Sequence, residues 1–204
     1  MDSVPGVKGQ VQARGVERRR AIVDAAIAHF AREGYRGTGI AAIAEAAGVT
    51  TGGLLHHFGS KEGLLVEVLK ERDRQAVRAF ADAGDSVTDY FDRWVAVATW
   101  NEDRADLSML YTVLHAEALD PEHPAHEYMQ ERNAQVIGLL RAALQRGVDA
   151  GELRSDFDVK TKADEIVSFI EGAHLMWMYG KKKRALTRLV RAYLDDQLLL
   201  LRAR

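Results

Sequence analysis

The chain has 204 residues, 47% hydrophobic and 28% charged, with a formal net charge of −2 and no cysteine. That composition is globular; it excludes disulfides and thiolate metal sites, and the near-neutral total lacks the strong positive charge expected of a protein held to nucleic acid by bulk charge alone. No run approaches the roughly 18 uninterrupted apolar residues of a membrane span, and residues 1–20 lack the apolar segment of a signal peptide, so a cytoplasmic protein that touches no membrane is expected.

Charge is unevenly spread along the chain. Up to Glu62 there are eight basic and six acidic side chains, net +2, which leaves −4 for the remainder. The bias points weakly to nucleic acid at the N-terminal end. Residues 1–15 read as a flexible basic arm. A first helix is expected from about Val16 to Glu33, because Ile22, Val23, Ala26, Ile27 and Phe30 share one face at helical period. Gly34 supplies a left-handed stop. Thr38 can cap a second helix to Ala47, ended by Gly48, and Thr50 a third that ends near His57. Ser60 can cap a fourth, with Lys61 in its first turn. That helix runs through Leu64, Leu65, Val68, Leu69, Val77 and Phe80 to a break at Ala83-Gly84-Asp85. Five more follow at about 86–102, 105–118, 122–149, 158–179 and 183–202. Pro5, Pro121 and Pro124 can all lie outside helix interiors, where proline would cost about 3 kcal/mol. Strand-like alternation is absent. The fold class is therefore all-α, about nine helices, with a three-helix head over 16–62 and a larger helical body over 63–204.

The second and third helices, joined at Ala47-Gly48-Val49, have helix-turn-helix spacing. The second helix of such a pair enters the DNA major groove. The helix beginning at Thr50 turns unpaired N–H groups outward, where phosphate oxygens are welcome. Gly52 and Gly53 are each worse helix formers than alanine by about 1 kcal/mol. A helix built for packing alone rarely keeps both, and the missing side chains would let the backbone approach DNA closely. Leu54 and Phe58, four residues apart, are expected to pack inward. Thr51, Leu55, His56 and His57 are then left for the groove or its rim. A tight corner of a helical bundle would explain the turn but not the glycine pair. Arg18-Arg19-Arg20 fall in the first turn of the expected helix, where cations oppose the macrodipole. Phosphate contact would explain them, and so would a solvated basic face.

Gly34-Tyr35, Thr38, Ile43-Ala44, Ala47-Gly48-Val49, Thr50, Gly52, Leu54, His57-Phe58, Ser60-Lys61-Glu62 and Leu64-Leu65 together resemble the TetR family of bacterial regulators. The matching spacing is long and ungapped, and the nine-helix layout extends the resemblance across the chain. The resemblance implies a homodimer on a pseudo-palindromic double-stranded operator, with repression relieved by a small-molecule effector. It implies DNA contacts at the positions of Thr38, Leu55, His57 and Lys61, with Thr38 and Lys61 on phosphates, beside the candidates Arg18, Arg19, Thr50, Thr51, Gly52 and His56 read from the residues themselves. Leu55 departs from the family, which usually has tyrosine there. The missing hydroxyl removes one phosphate bond, though leucine could touch a thymine methyl.

The rest of the chain carries no phosphate loop, serine elbow or HExxH, so no catalytic residue and no cofactor is expected. His115, Glu117, His123 and His126 cross a loop with two prolines and match no standard metal site, so no metal is expected. Ligand cavities are apolar with a few polar groups, which makes Trp94, Trp100, Met109, Tyr111, His115, Tyr128, Phe169, His174 and Trp177 the candidate effector residues. Any one of them is more often ordinary core. The last two helices are amphipathic and suit a four-helix dimer interface, built from Ile166, Ile170, Gly172, Leu186, Val190, Tyr193, Leu194 and Gln197. The alternative is burial of both helices within one chain; a last helix with nothing after it to cover it favours the dimer. The leading function is a ligand-released homodimeric repressor. A small-molecule carrier or enzyme with a vestigial head, and a nucleoid-type protein that reads no sequence, are the competing classes.

Overall fold

A computed structural model describes residues 6–78, 84, 86–180 and 185–203, with side chains from residue 14 onward. Residues 1–5 of the expected arm, Phe80, Ala83, Asp85 and the expected start of the last helix at 183 lie outside the described residues. Among the described residues the fold is all-α. The nine helices are α1 (Gly6–Gly37), α2 (Ile40–Ala46), α3 (Thr51–Phe58), α4 (Lys61–Arg78), α5 (Val87–Asp103), α6 (Ala105–Glu117), α7 (His126–Asp149), α8 (Val159–Tyr179) and α9 (Leu186–Leu201). An isolated antiparallel bridge joins Leu153 and Arg202.

Three boundaries differ from the sequence reading. α1 begins at Gly6 rather than Val16, so residues 6–15 are helix and not arm. That segment has no proline, though Gly6, Gly9 and Gly15 are poor helix formers, and charge alone is a poor argument against helix there. α2 begins at Ile40 with Gly39 in the cap position, and no side chain caps it. α7 begins at His126 rather than 122. Pro124 disfavours helical backbone at the residue before it, and the chain instead makes two turns, His123 N–H to Asp120 O at 2.9 Å and His126 N–H to His123 O at 2.9 Å.

The chain divides into two compact units. One holds the residues up to Arg72 together with Met109–His126, and the other holds Asp73–Ser108 and Glu127 onward. In the first, α2 packs on α1 and on α3. Ile22, Phe30, Ile43, Leu54, Leu64, Leu65 and Leu110 are fully buried there. Truncating any one of these leucines to alanine is of the class that costs about 2–5 kcal/mol. In the second, α9 packs along α5 and against α8. Its core joins Val87, Phe91, Val95, Leu140, Leu144, Ile166, Val190 and Leu194. Ser86 and Asp89 form a capping box at the start of α5. α9 has no cap of its own, and Glu102 of α5 supplies one by accepting from the Thr187 N–H at 3.1 Å.

Candidate nucleic-acid interface

The turn before α3 needs glycine at 48, where φ is 65°. Thr50 sits in extended backbone and caps α3, its hydroxyl oxygen accepting from Gly53 N–H at 3.0 Å. Leu54 is fully buried and anchors one face of the helix. Gly52, Leu55 and His56 are exposed; Thr51, His57 and Phe58 are half-buried. The two glycines differ. A Cβ on Gly53 would press on the capping Thr50 Oγ1 at 3.2 Å, so the cap accounts for that glycine. A Cβ on Gly52 would meet nothing within 4 Å. Packing within the chain therefore gives no reason for glycine at 52.

Ser60 Oγ accepts from Gly63 N–H at 3.1 Å at the start of α4. Gly63 is a constraint the sequence reading missed, since a Cβ there would collide with the Phe58 carbonyl oxygen. Lys61 is half-buried, and its Nζ lies 4.2 Å over the centre of the Tyr35 ring. The Tyr35 hydroxyl donates to Glu62 Oε1 at 2.6 Å. Burial first, then Glu62, holds the Tyr35 phenol above its ordinary pKa. The same bond, helped by Ser60, pulls the Glu62 carboxyl down to about 2.

Two expected contacts are corrected by this geometry. Thr38 is buried, at 2% exposure, and its hydroxyl donates to the Gly34 carbonyl at 2.7 Å. Its hydroxyl closes the end of α1 instead of capping α2 or facing a phosphate. Arg18-Arg19-Arg20 lie well inside α1, not in its first turn, so the macrodipole argument for them lapses. Arg18, Arg19 and Arg20 are all exposed. Arg19 is engaged within the first unit: it pairs with Glu67 at 3.1 Å and lies 5.1 Å over the Phe58 ring, tying α1 to α3 and α4.

The candidate effector residues fall in both units. Met109, Tyr111 and His115 belong to the first unit; Trp94, Trp100, Tyr128, Phe169, His174 and Trp177 belong to the second. Met109 is exposed. Tyr111 is buried under the Arg72 guanidinium, 4.4 Å from its ring centre, with its hydroxyl 2.8 Å from His115 Nδ1. Tyr128 donates to Asp73 at 2.7 Å. His174 and Trp177 are buried, and Trp94 packs against the core. Trp100 is half-buried. Phe169 stacks on Tyr193, ring centres 3.6 Å apart. A surface groove between α7 and α8, lined by Arg141, Phe157, Lys160 and their neighbours, contains none of the nine. Among the described residues no group of three or more His, Cys, Asp or Glu could hold a metal, and no helix is long and apolar enough to cross a membrane.

The interface residues need the larger correction. Ile166, Ile170, Leu186, Val190, Leu194 and Gln197 are buried inside the chain's own second unit. A helical stripe buried in this way cannot also meet another copy. Gly172 is exposed and Tyr193 half-buried, so these two remain accessible. Exposed on the same helices are Leu175, Met176 and Tyr179 of α8 and Leu189, Leu199 and Leu200 of α9, Tyr179 at 75% and Leu199 at 73%.

Comparison with known proteins bears on this arrangement. The family profile described as "Bacterial regulatory proteins, tetR family" matches residues 22–68, and "Tetracyclin repressor-like, C-terminal domain" matches residues 84–193. The HTH-type transcriptional repressor KstR2 of Rhodococcus jostii (strain RHA1) is 34% identical over 160 residues, covering 70% of this chain and 71% of the relative. A crystal structure of a TetR-family transcriptional regulator from Rhodococcus sp. superposes with a TM-score of 0.70 at 26% identity, covering 92% of this chain and all of the other. The FadR regulator of Bacillus subtilis, solved with stearoyl-CoA, shares the fold with a TM-score of 0.74 at 21% identity, over 86% of this chain and 95% of that one.

Proposed function

Because this chain belongs to the TetR family and is a DNA-binding transcriptional regulator, we propose that it is a homodimeric repressor released from a near-palindromic operator by an elongated or planar apolar effector. The observation that carries the DNA-reading part is the outward face of α3, with Thr51, Gly52, Leu55 and His56 accessible around a buried Leu54. Gly52, with open space where a Cβ would stand, suits a surface that another molecule's backbone approaches closely. A vestigial head would have no use for it. Thr51 and His56 are the base-edge readers in this scheme, and Lys61 and Arg18 are phosphate contacts that position without reading sequence.

Pairing of two copies is assigned to the exposed faces of α8 and α9, with Gly172 and Tyr193 retained and Leu175, Met176, Tyr179, Leu189, Leu199 and Leu200 added. The head over 16–62 reads DNA, and the body over 63–204 pairs and senses. The effector class draws support from the stearoyl-CoA in the FadR structure and from the tryptophans, Trp94, Trp100 and Trp177, all in the second unit. Release requires the effector to prefer the non-binding conformation, because equal affinity for both states shifts nothing. The test pairs a gel shift on DNA from upstream of the chain's own gene with tryptophan fluorescence during a stearoyl-CoA titration. Quenching together with loss of the shifted band is the expected result. Quenching with an unchanged band would remove the coupling, and no shifted band at any protein concentration would contradict an operator in that upstream DNA.

A further inference from the structure

One peptide group at the end of α1 is held at both of its polar ends by side chains. α1 breaks at Gly34, with φ 68° and ψ −179°. The Gly34 carbonyl accepts from Thr38 Oγ1 at 2.7 Å. The N–H of the same peptide, that of Tyr35, donates to Glu117 Oε2 at 2.8 Å. Glu117 is the last residue of α6, 82 positions along the chain from Tyr35. Its carboxylate lies so close over Gly34 that a Cβ there would collide with Oε1. Glycine is therefore required twice at 34, by the left-handed φ and by the carboxylate.

The peptide matters because of what the Tyr35 ring touches. Its hydroxyl bonds Glu62, and Lys61 Nζ sits over its face at 4.2 Å, so the first turn of α4 is aligned on this ring. Phe30 and His123 pack beside it, at 6.0 and 5.2 Å between ring centres. His123 Nδ1 accepts from Ala125 N–H at 3.2 Å, which leaves the proton on Nε2, facing Glu117 Oε2 at 3.5 Å. Arg36 pairs with Asp120 and ties the 118–125 loop to the same end of α1 a second time.

We infer that Glu117 is a positioning residue for DNA binding: by holding the Tyr35 N–H it fixes the Tyr35 ring, and through that ring it holds the Lys61 ammonium at the phosphate-facing rim of the head. The inference rests on the DNA-binding reading of that rim. An ionised acceptor makes the stronger kind of hydrogen bond, and a neutral amide of the same length keeps an oxygen in the same place. Glu117 therefore acts on DNA only through Tyr35 and Lys61, with no contact of its own.

The experiment uses the full chain and a duplex enriched from random sequence by the wild type. Affinity is measured against salt for Glu117→Ala, Glu117→Gln, Lys61→Ala and the Glu117→Ala/Lys61→Ala pair. Amide exchange at Tyr35 is followed in the free protein. Glu117→Ala is expected to bind about tenfold more weakly and to lower the salt slope by about one unit. Tyr35 exchange should accelerate while α5 amides stay protected. Glu117→Gln should restore most of the affinity. In the Lys61→Ala background, Glu117→Ala should add less than about twofold, because the two act on one contact. Wild-type affinity and slope for Glu117→Ala, or an effect that adds in full to that of Lys61→Ala, would overturn the inference. If the alanine variant fails to fold, Glu117→Asp, which withdraws the carboxylate by one methylene, is read by the same criteria. If the wild type enriches no duplex, the DNA-binding reading fails and the positioning role falls with it, while Tyr35 exchange still reports separately whether the brace exists.

Discussion

Thr38 and Lys61 look alike in the sequence, two polar residues at helix ends in a DNA-reading head, yet the fold gives them different work. Lys61 keeps its ammonium at the rim, over Tyr35. Lys61→Ala should weaken binding to every duplex about equally and lower the salt slope by about one unit; titrations at several salt concentrations would show it, and an unchanged slope would mean that Lys61 touches no phosphate. Thr38→Val should leave the slope alone. It strands the Gly34 carbonyl in a buried site and should cost about 1–3 kcal/mol in urea unfolding. Burial of a hydroxyl is a tertiary outcome, and nothing local to Thr38 announced it. Glu117 was equally silent, because its partner lies 82 positions away. His123 adds a pH term. Burial lowers its pKa, against the opposing pull of Glu117, so the folded value lies below the ordinary 6.5. The unfolded chain then takes up the proton first. The first unit should be fully stable above about pH 6.5 and lose stability as pH falls from there through the folded-state value. Thermal melting of wild type and His123→Asn between about pH 5 and 8 checks this: the variant should lose less on acidification, and parallel curves would contradict the assignment.

At the scale of elements, α3 was the most legible part of the chain. Gly48, Thr50 and Leu54 are local signals for a turn, a cap and a buried face, and the structure uses each in that way. The start of α1 was not legible, because a basic segment with three glycines but no proline reads equally as arm or helix. Gly52 separates folding from function within α3. Gly52→Ala meets no obstacle in the free protein and removes a poor helix former, so it should stabilise the head by up to about 1 kcal/mol. If the α3 backbone approaches DNA closely, the same change should weaken operator binding. Denaturant midpoints and gel shifts on one variant decide it; a gain in stability with unaltered binding would mean that the backbone at 52 stays away from DNA.

For the whole molecule, the sequence was informative about burial but not about what does the burying. The stripe through Ile166, Ile170, Val190 and Leu194 was correctly apolar, and it serves the chain's own core. The apolar faces left outside, on Met176 and Leu199 among others, break the simple pattern and so escaped notice. The aromatic inventory is less informative for a related reason: composition counts rings but does not say which converge, and Phe169 stacks on Tyr193. Val190→Glu would place an unpaired carboxylate in the core and should unfold the second unit. Met176→Glu and Leu199→Glu change exposed positions and should stay folded while shifting sedimentation from dimer to monomer; a folded dimer in both would move the interface off α8 and α9. The most direct test of a symmetric DNA-reading dimer is a hydroxyl-radical footprint of the wild type on a duplex enriched from random sequence. The expected pattern is two inverted half-sites protected alike, their centres about one helical turn, roughly 34–36 Å, apart. Protection of one asymmetric half-site, or no enriched sequence at all, would contradict it.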